Sequence, residues 1–304
     1  MRKSPDLEQS EKLPPQYRYV NISVFWIFYF RQVIKILYRC RVPHEAATAL
    51  SILFGLISAY CFSIGHIILA AVAIHLKDVF DASDGALARL TGRGHLIGRY
   101  LDSLGDFFVL SATMIAIGSH AAPNGHTGYY LWAIVAIFST FIQCSFFNFY
   151  QLGYVAAFGI DTLSSRQDEN SRDDVQRQSY SLFGKVILKT LRLFYLIVYG
   201  WQDKLVLAVD NRLLSSGNIH EGRLRYGNHQ LMIMQSALCF GTHIFVIILC
   251  ALLSRPQLAL IFISIVMNLY LIFVLYLRKR YYQRLSSKPA VFAVATAKQT
   301  GMEP

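Results

Sequence analysis

DASDGALARLTGRGHLIGRYLDSLGD, residues 81–106, decides how the rest of the chain is read. Four of its aspartates form two pairs, Asp81 with Asp84 three residues on, and Asp102 with Asp106 four residues on. On an α-helix either spacing puts both side chains on one face. Between the pairs lies LTGRG, residues 90–94, a turn that lets two helices run antiparallel and present both acidic faces to one pocket. Long apolar runs extend outward on both sides, IILAAVAIH at 67–75 and FFVLSATMIAIG at 107–118. The carboxylates therefore sit at the ends of segments that read as membrane helices. A carboxylate at membrane depth costs roughly 3 kcal/mol or more unless it is paired, wet or metal-bound, and by default it marks a functional site.

The rest of the chain fits this membrane setting. Of its 304 residues only 15% are charged, against about a quarter in soluble domains. The apolar residues come in blocks long enough to cross a bilayer. The expected fold is an all-α polytopic membrane protein with six transmembrane helices, at about 43–64, 66–90, 95–118, 128–150, 229–253 and 257–277. Residues 1–20 read as a disordered polar tail. Residues 21–42 read as an interfacial amphipathic helix, because Arg31, Lys35 and Arg39 make one basic stripe against an aromatic body. Residues 43–150 then hold the first four spans, with the acidic motif at 81–106. The segment 151–228 begins as a charged loop. It continues with Lys185, Lys189 and Arg192 at helical spacing among Leu and Tyr, and reads as a cytoplasmic or interfacial insertion, with a buried seventh span as the other option. Residues 229–278 supply the last two spans and 279–304 a polar tail.

Charge fixes the expected orientation. With the N-terminus in the cytoplasm and six crossings, 28 of the 29 Lys and Arg residues fall inside, and only Arg255 lies in an outside turn. The reverse topology places nearly all of them on the wrong side. Both termini and the acidic pocket are thus expected to face the cytoplasm. The net charge of +11 comes with no basic-aromatic module or zinc spacing, so no nucleic-acid partner is expected. Cys40, Cys61, Cys144, Cys239 and Cys250 form no CxxC pair or disulfide framework, and they carry no redox signal.

Five acids between Asp78 and Asp106 would repel one another in a low dielectric. A divalent cation that prefers hard oxygen ligands neutralises them. Gly85 and Gly98, beside the carboxylates, allow close approach of a helix or a ligand. Arg89, two turns beyond Asp81, offers forked donors to a phosphate. Two blander readings compete. The aspartates could merely flank a solvated loop, or line an ion pathway in a transporter. A transporter would place its acids near the midplane and usually shows paired repeats, whereas here they cluster toward one face and no repeat is visible.

Residues 81–106 also fit D-x2-D-G-x2-A-R-x8-G-x3-D-x3-D at every fixed position. In this the chain resembles the CDP-alcohol phosphotransferase (CDP-alcohol phosphatidyltransferase) family. The resemblance implies two divalent ions, Mg²⁺ or Mn²⁺, with Asp81, Asp84 and Asp102 holding metal. Asp106 would assist with the metals and act as general base on the acceptor hydroxyl. Gly85, Ala88 and Gly98 match positions where the CDP moiety packs, and Arg89 matches the motif arginine near it. The family also implies a homodimer. One departure lies upstream, where many members open the first span with Pro-Asn-x-x-Thr. Here it reads Pro43-His44-Glu45-Ala46-Ala47-Thr48, which leaves a role for Thr48 open. Asp78 is either a further ligand or a charge partner for Lys77. His75 and His95 could reach phosphate or simply be solvated.

The implied reaction is a metal-dependent transfer in phospholipid biosynthesis that releases CMP. In one form CDP-diacylglycerol donates a phosphatidyl group to a small polar alcohol. In the other, a soluble CDP-alcohol donates to diacylglycerol. Moderate length and six spans favour the first by analogy. The 151–228 insertion is a candidate source of basic groups for the acceptor.

Overall fold

The structure, a computed structural model, describes residues 13, 17–19, 27–92, 96–122, 128–158, 181–214 and 222–286, and among these every regular element is a helix. Helix α1 runs Ile27–Arg39 and is followed by α2 (His44–Ser63), α3 (Ile67–Thr91), α4 (Leu96–His120) and α5 (Gly128–Ala157). Next comes α6 (Leu182–Tyr195), which passes through a π-helical turn at Leu196–Gly200 into α7 (Trp201–Leu214). A short α8 (Gly222–Tyr226) leads to α9 (His229–Ser236) and α10 (Phe240–Leu252). The last rod is α11 (Gln257–Phe262), a π-helical turn at Ile263–Met267, and α12 (Asn268–Ser286).

Among the described residues, four helical stretches are long and apolar enough to cross a membrane: His44–Ser63, Ile97–His120, Gly128–Ala157 and Gln257–Leu285. A fifth is made by α9 and α10 together, bent by 41° at the break between them. The chain is an integral membrane protein on these features. The expected second span, α3, falls outside the set for a physical reason. Its first ten residues are apolar apart from His75, but Lys77, Asp78, Asp81 and Asp84 all follow them, so it is no uniformly apolar rod. The fourth span is longer than expected, reaching Ala157 rather than residue 150. Helix α12 carries the last rod through residues 279–286, expected as tail. Most of the N-terminal tail, residues 159–180 and the chain beyond Ser286 lie outside the described residues.

Close approach of small residues fixes the helices around the acidic motif. Helices α2 and α3 form a hairpin whose turn passes through Gly65 at φ +84°, and Ser58 Oγ donates to the Ala70 carbonyl across it at 2.9 Å. Where α2 crosses α4, a Cβ on Gly55 would lie 2.2 Å from Val109, and one on Gly105 would lie 2.8 Å from Ile52. Backbones can meet this closely only without those side chains, which is how membrane helices gain packing contact. Helix α3 ends at Gly92, in the left-handed conformation at φ +63°, whose N–H caps carbonyls of the last turn.

Helix α1 leans on α3, burying Phe30 and Ile34 and stacking Tyr29 on His75 at 5.9 Å. Tyr17 and Tyr19, at the end of the expected tail, pack on the far end of α5. Tyr17 stacks on Phe158 at 4.2 Å, and the Tyr19 hydroxyl accepts a hydrogen bond from the Gln151 amide.

The later helices are tied to α5 by buried polar groups. His243 Nε2 donates to Gln143 Oε1 at 2.8 Å, and Gln143 Nε2 donates to Asn268 Oδ1 at 2.7 Å. Gln143 also reaches the Ile263 carbonyl at 3.3 Å, where the π-helical turn begins. Such a turn shifts the regular backbone ladder and often accompanies a special contact.

The second half of the 151–228 segment docks against the bundle. Tyr199 donates to the Ser103 carbonyl at 2.8 Å, and Ser145 Oγ donates to Gln202 Oε1 at 2.7 Å. Farther along, fully buried Asp210 accepts from Tyr150 at 2.9 Å, Tyr226 at 3.2 Å and Tyr282 at 3.3 Å, and pairs with Arg225. Burial, and then the Asp210 charge, push the Tyr226 phenol up from its ordinary value, so it stays a protonated donor. The opposite side of the long rod is apolar and exposed, with Leu182, Phe183, Val186, Leu193 and Ile197 outward.

Candidate active site

Helices α3 and α4 bring three of the four signature aspartates together, where the spacing predicts all four. One carboxylate oxygen from each of Asp81, Asp102 and Asp106 lies within 4.8 Å of the others. Three hard, anionic oxygen donors at that separation suit Mg²⁺ or Mn²⁺. Asp81 Oδ1 is buried without a hydrogen-bond donor among the described residues, and the Lys77 ammonium stands 3.3 Å from it. Among the described residues these three make the one group of metal-ligating side chains that converges in this way.

Asp84, the fourth signature aspartate, stands apart from that trio and is held from α2. Thr48 Oγ1 donates to Asp84 Oδ2 at 2.6 Å. The same hydroxyl approaches the His44 carbonyl at 3.2 Å, and with one proton to give, the shorter contact to a charged acceptor prevails. Thr48 therefore orients Asp84, a role that the motif comparison alone left open. Groups that orient carboxylates beside a metal usually matter 10- to 100-fold in metal affinity or activity. Thr48→Val keeps the shape and removes the donor. It is expected to weaken Mn²⁺ binding about 10-fold, read from metal titrations of the purified protein.

Lys77 is the residue that reading the motif did not place. Its ammonium lies 3.3 Å from Asp81 Oδ1 and hydrogen-bonds Asp106 Oδ1. The side chain is only 1% exposed, and the ring of Phe240 on α10 covers it, 5.0 Å from ammonium to ring centre. Lys77 thus contacts Asp81 and Asp106, and its charge also acts on its neighbour Asp78. The i, i+4 relation to Asp81 was readable in the sequence. The reach to Asp106, 29 residues on, was not.

The remaining candidates divide. Gly85 has the Arg89 guanidinium 3.4 Å from the place of its absent Cβ, and around Gly98 no described atom lies within 4 Å of that place. Neither glycine, then, is required for helix packing among the described residues. Ala88 and Arg89 are half-buried on the last turns of α3. Asp78 stays outside the converging trio. His75 is engaged by Tyr29 on the α1 side, and His95 lies outside the described residues. On the other flank of α4, Tyr100 packs edge-on against Tyr195 and Ser103 is bonded by Tyr199, so the long rod docks on the face of α4 away from Asp102 and Asp106.

Residues 44–162 match the family model for CDP-alcohol phosphatidyltransferase. The matched stretch holds α2 to α5, and with them all four signature aspartates, Thr48 and Lys77. The family's members are transferases of substituted phosphate groups that use divalent metals and act in phospholipid synthesis. No curated protein and no solved structure matches the chain.

Proposed function

We propose that this chain, whose residues 44–162 match the model of the CDP-alcohol phosphatidyltransferase domain, transfers a phosphatidyl group from CDP-diacylglycerol to the hydroxyl of a small polar alcohol, releasing CMP. The convergence of Asp81, Asp102 and Asp106 within 4.8 Å, inside that domain, carries the proposal. In the bond change, the acceptor oxygen attacks the phosphorus that bears diacylglycerol. The P–O bond to CMP breaks, and the hydroxyl proton passes to Asp106. One oxygen of Asp106 is taken by Lys77, which leaves Oδ2 to receive that proton. Divalent metal bound by the aspartates would neutralise the diphosphate and stabilise CMP as it leaves. Thr48 keeps Asp84 turned into the site. Arg89 offers its guanidinium to the donor's phosphates, and the space beside Gly98 suits close approach of the CDP moiety. A pair of Mg²⁺ or Mn²⁺ ions is the loading implied by the signature, and the place of Lys77 bears on that number.

The membrane setting completes the reading. Six crossings are reached when α3 is counted as the second span and α9–α10 as the fifth. The α3 charges then lie at its cytoplasmic end, where 28 of 29 basic residues are also placed. Helix α1, with Arg31, Lys35 and Arg39 on one stripe, lies in the interface. The exposed apolar side of the 182–214 rod faces the acyl chains beside the site.

Purified protein in lipid, given CDP-diacylglycerol, Mg²⁺ or Mn²⁺ and a panel of alcohols such as glycerol phosphate, inositol phosphate and serine, is expected to release CMP with one of them. A parallel reaction offers CDP-choline with diacylglycerol. Turnover only in that second reaction would reverse donor and acceptor. Silence in both would sink the proposed activity.

A further inference from the structure

Lys77 has no place among the eight fixed positions of the signature, yet it reaches the centre of the site. Its ammonium stands between Asp81 Oδ1 and Asp106 Oδ1, and both carboxylates belong to the converging trio. Resting on the metal-dependent reading above, we infer that the Lys77 ammonium takes the place of one of the two divalent cations, so that each chain binds a single metal ion.

Three observations lead there. The first is occupancy: the ammonium faces one oxygen of Asp81 and one of Asp106, and a divalent cation set against the same two oxygens would meet strong repulsion at such short range. The second is confinement. The side chain is 1% exposed and its outer side is closed by Phe240. Leaving the carboxylates would strand a charge among apolar groups, which costs far more than staying paired. The third is origin. Lys77 projects from the same helix as Asp81, one turn earlier, and so arrives with the site whenever α3 folds. A lysine ammonium is a compact point charge with three donors. It can therefore balance Asp81 and fix Asp106 at once, as a bridging ion would. Asp102 does not contact the ammonium and remains, with the other Asp81 oxygen, for the metal.

A metal count tests this. Full-length protein in lipid nanodiscs, stripped of metal and supplied with CDP, is titrated with Mn²⁺ while the free ion is followed by electron paramagnetic resonance. The native protein is expected to bind one Mn²⁺ per chain and to give the spectrum of an isolated ion. Lys77→Met keeps the length of the stem and removes the charge. It is expected to bind a second ion and to show the exchange coupling of two ions about 4 Å apart. Lys77→Arg, still cationic, is expected to stay at one. Two coupled ions in the native protein overturn the inference, and this count decides even where a variant does not fold. A folded Lys77→Met protein that still holds one ion overturns it as well. Native protein that binds no Mn²⁺ with CDP present refutes the metal-dependent reading itself, an outcome distinct from either of these.

Discussion

Asp106→Asn is expected to lower CMP release by on the order of 10³-fold or more, while the protein stays folded and still binds CDP-diacylglycerol. The substitution keeps the shape of the side chain and removes its capacity to accept a proton. Its effect is sharpened by Lys77. In the native site that ammonium holds Asp106 Oδ1, and in the variant it would hold the amide oxygen, the only acceptor left. The amide NH₂ then points to where the acceptor hydroxyl must lose its proton, and a donor meets a donor. Lys77 keeps Asp81 as its counter-charge, so the buried cation is not left alone and the fold should survive. The measurement is single-turnover CMP release at saturating metal and donor, beside donor binding to the same preparation. A rate near that of the native protein would show that Asp106 is not the base. A loss of donor binding as large as the loss of rate would make it a metal ligand only.

How far the sequence could be read depended on the range of the forces involved. Helices α2 to α5 follow from apolar runs and their punctuation, and their starts and most of their ends fall within about two residues of expectation. Pro43, Gly65 and Gly92 mark the breaks through local backbone preference, which sequence displays directly. The facing of the two aspartate pairs was also readable, because it needs only helix periodicity and one short turn. Contacts between distant segments were not. Thr48 meeting Asp84 and Lys77 meeting Asp106 depend on how α2, α3 and α4 are set against one another, which the Gly55 and Gly105 contacts determine. The 182–214 rod shows the same limit. Its Lys185, Lys189 and Arg192 stripe suggests an interfacial helix, yet Gln202 and Asp210 turn inward to Ser145 and Tyr150. Two polar residues eight apart on one helix face are visible in the sequence, but their partners on α5 are not. The 41° bend between α9 and α10 leaves no mark in the sequence, since an apolar run reads the same whether straight or broken.

Asp210→Ala is expected to be the most damaging substitution outside the acidic motif, and its damage should fall on stability. One buried carboxylate holds four donors, from Tyr150 on α5, Arg225 and Tyr226 on α8, and Tyr282 on α12. Alanine leaves the Arg225 charge and three hydroxyls without that acceptor. Removing one partner of a buried charged pair costs about 3–5 kcal/mol. Neighbouring Arg278, stacked 3.6 Å from the centre of the Tyr150 ring and buried, adds a second cation that the lost carboxylate no longer offsets. Asp210→Asn should cost less, since its amide oxygen can still accept from one tyrosine and the arginine. The order native, Asn, Ala is therefore expected in the thermal midpoint, followed by intrinsic fluorescence in detergent or nanodiscs. Because this cluster joins α7, α8 and α12 to the end of α5, while the proposed metal ligands sit on α3 and α4, Mn²⁺ binding well below the midpoint should be unchanged in both variants. An unchanged midpoint in Asp210→Ala would show that the cluster does not hold these helices. A normal midpoint with lost Mn²⁺ binding would instead make Asp210 part of the site.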